Sequence, residues 1–314
     1  MKKNILNALI VLLFALMICS DVSANSKQTG ALFLNLPAGA ASTGMGEAYS
    51  SIAKGVSAVF WNPAGLSDNT EQEIMFMHNS YISDVNQEYL AYCKYIKVLG
   101  GTLGADINFM DYGSFDKTMI MTSTTYSNAG SFSAKDYAIS LAYSRKNDQA
   151  FKFGAAIKYL KSKIDSSKTS SFALDIGTLY EFDAADYPLN LAFTVRNLGT
   201  DIKFDTYKEK LPLTFKTGIS AELKINENFT IYPSIDNVFT KYEDYYVSIG
   251  TEVKFQNAYF LRVGYNSLYD AGSGLSFGLG AQIGKAKVDY AFINYGDLKN
   301  SHRFSVNYKF SVSK

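Results

Sequence analysis

The chain has 314 residues, and its 30 lysines and arginines against 29 aspartates and glutamates leave a formal net charge of +1. This balance excludes the strongly basic surface of a nucleic-acid-binding domain, and a hydrophobic fraction of 47% is too low for a bundle of membrane-spanning helices. Only 5 prolines and 23 glycines also exclude collagen-like and proline-rich disordered chains.

The beginning of the chain has the features of a secretory signal. Two lysines open it, residues 5–18 are almost wholly apolar, and Val22-Ser23-Ala24 places small residues where signal peptidase reads them. We therefore predict a signal peptide at 1–24. An N-terminal membrane anchor is the alternative, although the apolar stretch is shorter than the roughly 20 residues that span a bilayer. Cleavage would leave Cys93 as the only cysteine, so no intramolecular disulfide is predicted.

Residues 25–70 follow the signal and lack any regular alternation, but they contain six glycines. The chain beyond them predicts a barrel of fourteen strands, as described below. Such a barrel is wider than its own side chains can fill, because about eight strands give a filled interior and about 16–18 an open channel. We therefore predict that residues 25–70 form a compact, irregular hatch inside the barrel.

One turn stands out within the predicted hatch. In Asn62-Pro63-Ala64-Gly65, proline restrains the residue before it to an extended conformation, and glycine permits a positive φ. The turn either leads into the first strand or forms part of a gate.

From about Glu71 onward, apolar and polar residues alternate repeatedly. In the clearest segment every second residue from Phe304 to Val312 is phenylalanine, valine or tyrosine. Because successive side chains of a strand point to opposite faces, each such segment predicts a strand with one apolar side. The predicted strands lie at residues 72–82, 87–98, 101–111, 133–145, 150–164, 170–182, 187–198, 212–225, 228–239, 244–256, 257–268, 273–284, 285–295 and 301–312.

The number and length of these strands favour a membrane barrel. Bacterial outer-membrane barrels have an even number of strands, and about 9–11 residues cross the hydrocarbon, whereas soluble strands average about 5–6 residues. A soluble β-sandwich produces the same alternation and is the alternative; it would bury Phe304, Tyr308 and Phe310 between two sheets. We predict an all-β fold, a 14-stranded antiparallel transmembrane β-barrel over residues 71–314, with long connections at 112–132 and 199–211.

Two blocks near opposite ends of the chain carry recognisable motifs. The first contains Gly44-Met45-Gly46-Glu47-Ala48 and Ala58-Val59-Phe60-Trp61-Asn62-Pro63-Ala64-Gly65-Leu66, and the second spans residues 288–292, 296–298 and 302–305. Together they resemble the PorV/PorQ family, which is similar to the FadL-type fatty-acid transporters. The resemblance implies a 14-stranded barrel with an N-terminal hatch, whose motif residues are Gly44, Met45, Gly46, Trp61, Asn62, Pro63, Ala64 and Gly65.

The same resemblance implies a location in the bacterial outer membrane and two alternative roles. Some family members act in type IX secretion, where they pass cargo proteins with a shared C-terminal sorting domain to the surface attachment machinery. FadL-like relatives bind hydrophobic small molecules instead. We therefore expect contact with outer-membrane lipid, and either secreted cargo and secretion machinery as partners or a hydrophobic small molecule in the lumen.

No constellation of residues predicts catalysis. His78 and His302 are far apart in sequence, no Cys/His spacing suits zinc, and Gly44 and Gly46 lack the third glycine of a dinucleotide-binding loop. We therefore expect no enzyme activity, no cofactor and no nucleic-acid partner. Inward charged residues are expected to fill the lumen as ion pairs; they include Asp106, Asp175, Asp289, Arg196, Arg262 and Arg303.

Pro233 lies in the middle of the predicted strand 228–239, where it cannot donate a backbone hydrogen bond. It predicts either a bulge or, more specifically, a gap in the wall through which an apolar ligand could leave sideways, as in FadL-like transporters.

Overall fold

The computed structural model describes residues 29–69, 71–121, 125–147, 150–184, 187–205, 207–241, 245–269 and 271–310. The predicted signal peptide at 1–24 lies outside these residues. The strands are β1 Gln72–Ser80, β2 Asn86–Ile96, β3 Gly101–Ile120, β4 Tyr126–Lys146, β5 Phe151–Ile164, β6 Ser167–Ala184, β7 Tyr187–Gly199, β8 Ile202–Phe204, β9 Tyr207–Glu209, β10 Thr214–Ala221, β11 Leu223–Lys224, β12 Phe229–Thr240, β13 Tyr246–Phe255, β14 Tyr259–Asn266, β15 Leu275–Ile283, β16 Ala286–Asn294 and β17 Asn300–Phe310.

The wall is one antiparallel sheet that closes on itself. Wall strands pair with their neighbours along the chain, and β1 pairs with β17, so that Gln72 lies opposite Phe310. β10 and β11 both pair with β12 and form two parts of one wall strand, which is interrupted at Glu222. β8 and β9 form a separate two-stranded sheet. The wall therefore has fourteen strands, as predicted.

The two faces of the wall differ as the alternation predicts. Phe304, Tyr308 and Phe310 are 51%, 39% and 39% exposed on the outside, which excludes the soluble sandwich. Other exposed outward side chains form an apolar belt that includes Phe76, Leu90, Ile107, Ile139, Leu141, Phe153, Ile157, Phe172, Ile235, Ile249, Leu261, Val263, Phe277 and Leu279. The inward face is buried and consists largely of small or polar residues.

The two ends of the barrel have different connections. At the terminal rim, where β1 begins and β17 ends, β15 and β16 are joined by residues 284–285 alone. At the opposite, loop rim, longer connections at 200–213 and 267–274 join the strands. Outer-membrane barrels have short periplasmic turns and longer outer loops, so we place the terminal rim in the periplasm and the loop rim outside.

One predicted connection is wrong, and a second contains strands that were not predicted. Residues 112–132 were expected to be a loop, but β3 and β4 extend through most of them as a paired hairpin, with Ser114 opposite Ser133. The connection at 199–211 contains the β8–β9 hairpin. The β3–β4 hairpin extends beyond the neighbouring wall strands, where its side chains are largely exposed, so its sequence lacks the alternation that marks the wall strands. The β8–β9 hairpin is short, and its Ile202 packs with Phe33 and Leu34 of the N-terminal segment.

Residues 29–69, called the hatch from here on, lie inside the barrel. They contain short helical turns at Leu32–Asn35, Ala40–Gly44, Gly55–Ser57, Ala58–Trp61 and Pro63–Asp68. Near the loop rim, Phe33 and Leu34 pack against wall residues such as Met110 and Leu160. The chain then passes down the lumen and leaves it at the start of β1. The hatch thus runs from one rim to the other.

No helix in the described ranges is long and apolar enough to cross a membrane.

Candidate functional site

A band of inward-facing glycines makes room for the hatch. A Cβ atom added to any of six of them would lie between 2.0 and 2.7 Å from a hatch atom, far inside normal contact distance. The wall therefore receives the hatch where it lacks side chains, and wall backbone packs closely against the hatch. These six are Gly104 of β3, Gly154 of β5, Gly177 of β6, Gly218 of β10, Gly250 of β13 and Gly264 of β14.

The predicted motif Gly44-Met45-Gly46 occupies part of this band. Gly46 has a φ of +62°, which glycine adopts readily, and its N–H donates to Ser276 Oγ over 3.0 Å. A Cβ on Gly44 would lie 2.7 Å from the Cα of Gly278. The structure therefore explains why both motif positions are glycine. Gly46 permits the turn, and both residues allow the hatch backbone to approach the wall closely.

Phe60 and Trp61 form the aromatic centre of the hatch. Their rings pack edge to face with centroids 5.2 Å apart, and the Trp61 indole N–H donates to the Ala38 carbonyl over 2.8 Å. Two wall cations lie over these rings: the Arg196 guanidinium is 4.2 Å from the Phe60 centroid, and the Lys216 ammonium is 4.7 Å from that of Trp61. Such contacts are worth about 2 kcal/mol when desolvated, so they hold the hatch against the wall.

Asn62 joins the hatch to the wall through its side-chain amide. The amide N–H groups donate to the carbonyls of Ser50 over 3.0 Å and of Thr178 in β6 over 3.1 Å. The amide oxygen accepts from the N–H of Ala64 over 3.1 Å and so caps the helical turn that Pro63 begins. The predicted turn is therefore present, and every polar atom of the buried Asn62 side chain is used.

Gly65 differs from its prediction. It is absent from the described residues with positive φ, so conformational freedom is not its role. A Cβ there would lie 1.9 Å from the carbonyl oxygen of Ala53. Gly65 is required because two segments of the hatch pack closely at this point.

Buried acidic groups supply further anchors. Asp236 of β12 accepts from the backbone N–H groups of Tyr49 and Ser50 over 3.2 and 2.9 Å. Glu47 accepts a hydrogen bond from the Tyr269 hydroxyl, in the connection 267–274 at the loop rim. Burial raises the pKa of the Glu47 carboxyl above its ordinary value. The hatch is thus tied both to the wall and to a loop-rim connection.

Charged residues fill the lumen around these contacts. Four of the six charged residues predicted to fill the lumen form ion pairs with one another. Asp175 lies 3.7 Å from Arg196, and Asp289 lies 2.8 Å from Arg262. The other two of the six, Asp106 and Arg303, have different partners. Asp106 accepts a hydrogen bond from the Tyr89 hydroxyl, and Arg303 donates one to the Thr43 hydroxyl of the hatch.

Among the cavities that described residues line, one lies toward each rim. The terminal-rim cavity, of about 530 Å³, has a mixed polar and apolar lining, which includes the charged residues Lys54, Glu73, Glu252, Lys254 and Lys287. The loop-rim cavity, of about 260 Å³, is largely apolar and is lined by residues that include Leu36, Tyr81, Tyr246, Leu268 and Tyr295.

The wall is interrupted beside Pro233. Pairing between β10 and β12 stops after Ser220 and resumes at Leu223 of β11 without a change of register. On the other side of β12 the ladder is continuous, and Pro233 lies opposite Thr251. The lapse is therefore confined to the β10–β12 ladder at Ala221 and Glu222. The Glu222 N–H still donates to the Pro188 carbonyl of β7, and Glu222 lines the terminal-rim cavity.

The structure brings the eight predicted hatch-motif residues together in the lumen, and Pro233 stands apart in the wall. Their functional role stays a prediction. Sequence reasoning gave Glu47 no role of its own, although it lies within the first motif block. It also missed Lys216 and Asp236, which are charged residues at inward positions of alternating strands, a signal that could have marked them. Among the described residues, no group of three His, Cys, Asp or Glu side chains is placed to hold a metal ion.

Comparisons with known proteins agree on the type of barrel. The crystal structure of the P. putida toluene transporter TodX is similar with a TM-score of 0.60 and 14% identity, over 88% of this chain and 99% of that one. A Pseudomonas aeruginosa FadL homologue gives a TM-score of 0.53 and 9% identity, over 87% and 98%. At these identities the likeness concerns the fold alone. No curated protein matches the sequence significantly.

The sequence model of one family, described as type IX secretion system protein PorV, matches residues 20–242. This range is more than half of the chain and includes the hatch, the glycines Gly104, Gly154, Gly177 and Gly218 that receive it, and the wall up to the end of β12. The chain therefore belongs to the PorV family of type IX secretion proteins and is an outer-membrane β-barrel.

Proposed function

We propose that this protein handles exported cargo proteins at the outer surface during type IX secretion, and that it catalyses no reaction. Family membership supports a role in secretion. One structural feature indicates where cargo would bind: a hairpin of β3 and β4 that extends beyond the wall at the loop rim.

The projecting hairpin consists of the described residues among 114–133. β2 stops pairing with β3 at Asp111, and β5 stops pairing with β4 at Ala134, so beyond these points β3 and β4 pair with each other alone in the described structure. Beyond Ser133, whose carbonyl accepts from the Asp165 N–H, neither outer edge of the hairpin pairs with a wall strand in the described structure, and such strand edges readily pair with another chain. Two contacts with Asp165 brace the hairpin: an ion pair of 2.5 Å from Lys117, and a hydrogen bond of 3.1 Å from the Asp165 N–H to the Ser133 carbonyl. Most of its other described residues are exposed to solvent.

The hairpin also exposes large apolar side chains. Phe115, Met119, Met121 and Tyr126 are 44%, 57%, 64% and 76% exposed. Placed beyond the lipid belt, these side chains have no membrane to cover them. Flexible methionines and aromatic rings together suit a surface that binds several different protein partners, as cargo handling requires.

Replacing Met119, Met121 and Tyr126 together with serine should release cargo. Each is exposed, so the barrel should fold normally. Anchors of this kind contribute at least about 1 kcal/mol each, so recovery of secreted proteins with the gently purified barrel should fall about tenfold or more, measured by mass spectrometry. The matched control is V98S/L99S, which removes exposed apolar side chains at the terminal rim and should retain cargo. Equal recovery from both variants would refute the proposed surface.

Transport of a hydrophobic small molecule is the second candidate. The apolar loop-rim cavity favours it, because its lining could receive an apolar molecule from outside. The same mass spectrometry separates the candidates. Cargo handling predicts co-purified secreted proteins, whereas small-molecule transport predicts a retained lipid-like compound and no such proteins.

A further inference from the structure

A row of lysines crosses the outward face of three neighbouring wall strands near the loop rim. Lys163 of β5 lies directly opposite Lys135 of β4 on one side and Lys168 of β6 on the other. Lys161 is the next outward residue of β5 toward the terminal rim, and it lies opposite Tyr137 of β4. Like charges placed directly across a strand pair are destabilising, so this arrangement needs an external reason.

The protein provides few counter-charges for this row. Lys135 pairs with Asp111 over 3.2 Å. Lys161, Lys163 and Lys168 are exposed, and in the described structure none of them has a carboxylate oxygen within the 4.0 Å of an ion pair. Asp165, in the turn that follows Lys163, is already engaged by Lys117. The row therefore presents three unbalanced positive charges to its surroundings.

The position of the row relative to the lipid belt identifies what surrounds it. Two outward positions from Lys163 toward the terminal rim, the side chains are aromatic or aliphatic: Ile139, Tyr159 and Phe172 lie opposite one another across the same three strands. Aromatic rings of membrane barrels gather at the membrane–water interface. The lysines therefore lie where lipid head groups begin, with their ammonium groups able to reach outward from the apolar edge.

We propose that this face binds an anionic lipid of the outer leaflet, whose phosphate groups contact Lys161, Lys163 and Lys168 and whose acyl chains cover Ile139, Tyr159 and Phe172. The two halves of the surface select this ligand together. A free phosphate would leave the apolar half without a contact, and an uncharged lipid would leave the lysines unbalanced. Lysine is a good phosphate ligand, and basic clusters at the membrane surface recognise anionic head groups.

The test compares lipid binding by the intact protein and by the triple variant K161Q/K163Q/K168Q, purified in a neutral detergent. The probe is diphosphorylated lipid A, titrated and followed by native mass spectrometry. Each surface lysine contributes about 1 kcal/mol toward an anionic membrane lipid, so the variant should bind lipid A roughly a hundredfold more weakly. Lipid A from which both phosphates have been removed should bind the unaltered protein as weakly as the variant binds intact lipid A.

Two controls separate this site from general charge and from misfolding. The variant K94Q/K97Q/K146Q loses the same charge from exposed lysines at the terminal rim and should bind lipid A as the unaltered protein does. A heat-dependent shift in gel mobility checks that each barrel is folded. Equal binding by K161Q/K163Q/K168Q and the unaltered protein would overturn the proposal, as would equal binding of the dephosphorylated lipid. Inorganic phosphate that competes as well as lipid A would identify an adventitious anion site and overturn it too.

Discussion

Replacing Gly264 with valine is expected to expel the hatch from the lumen and open a conducting pore. A Cβ at this position would lie 2.0 Å from the backbone nitrogen of Gly46 and 2.1 Å from the carbonyl carbon of Met45. Overpacking costs roughly 1–3 kcal/mol where neighbouring side chains can move aside, but here the obstacle is backbone. The hatch must therefore shift, whereas β14 keeps its own backbone pairing with β13 and β15.

Ion conductance across a planar lipid bilayer measures this effect. The unaltered barrel should be closed to ions, and G264V should show steady open currents. Ala281→Val is the control, because Ala281 is an outward position on β15 and the larger side chain there meets lipid. A G264V barrel that folds and stays as closed as the unaltered protein would contradict the close packing of hatch and wall.

Replacing Asn62 with aspartate is expected to detach the hatch from β6. Aspartate keeps the shape and the oxygen that caps the turn at Ala64, but it loses the two N–H donors and turns an acceptor toward the carbonyls of Ser50 and Thr178. Each buried group left without its hydrogen bond costs about 1–3 kcal/mol, and the buried charge adds to this. The free energy of unfolding should fall by roughly 2–6 kcal/mol.

Urea unfolding in lipid vesicles measures this change. Asn226→Asp is a matched control: the exposed Asn226 uses its side-chain oxygen to accept from the N–H groups of Asn228 and Phe229, and aspartate preserves that oxygen. N226D should therefore unfold like the unaltered protein. If N62D unfolds at the same urea concentration as N226D, the amide donors of Asn62 do not hold the hatch.

Wall strands could be predicted from the sequence because lipid outside and a crowded lumen inside impose a strict period of two. Segments such as β5 and β7 accordingly lie within a residue of their predicted bounds. The projecting hairpin could not be predicted in this way, because both of its faces meet solvent. Its strands are held by backbone pairing, which leaves little trace in the choice of side chains.

The candidate site was predictable as a segment but not as a set of contacts. The glycines of Gly44-Met45-Gly46 and the inward glycines of the wall could each be recognised in the sequence, but not as partners of one another. Their pairing, such as Gly46 against Gly264, depends on how the hatch passes down the lumen, and local sequence does not encode that path. The contact between Lys216 and Trp61 could not be predicted for the same reason, since Trp61 comes from a segment without periodicity.

Trp61 tests the central claim most directly, because it is the single tryptophan in the chain and lies at the centre of the hatch with 1% of its surface exposed. Its fluorescence can be measured in vesicles with iodide in the water and, separately, with brominated lipids in the bilayer. A hatch enclosed by the barrel predicts that neither quencher reduces the emission until urea unfolds the protein, after which iodide quenches it fully. Strong quenching of the folded protein by iodide would place Trp61 in water, strong quenching by brominated lipid would place it against the bilayer, and either result would contradict a barrel with its lumen filled by residues 29–69.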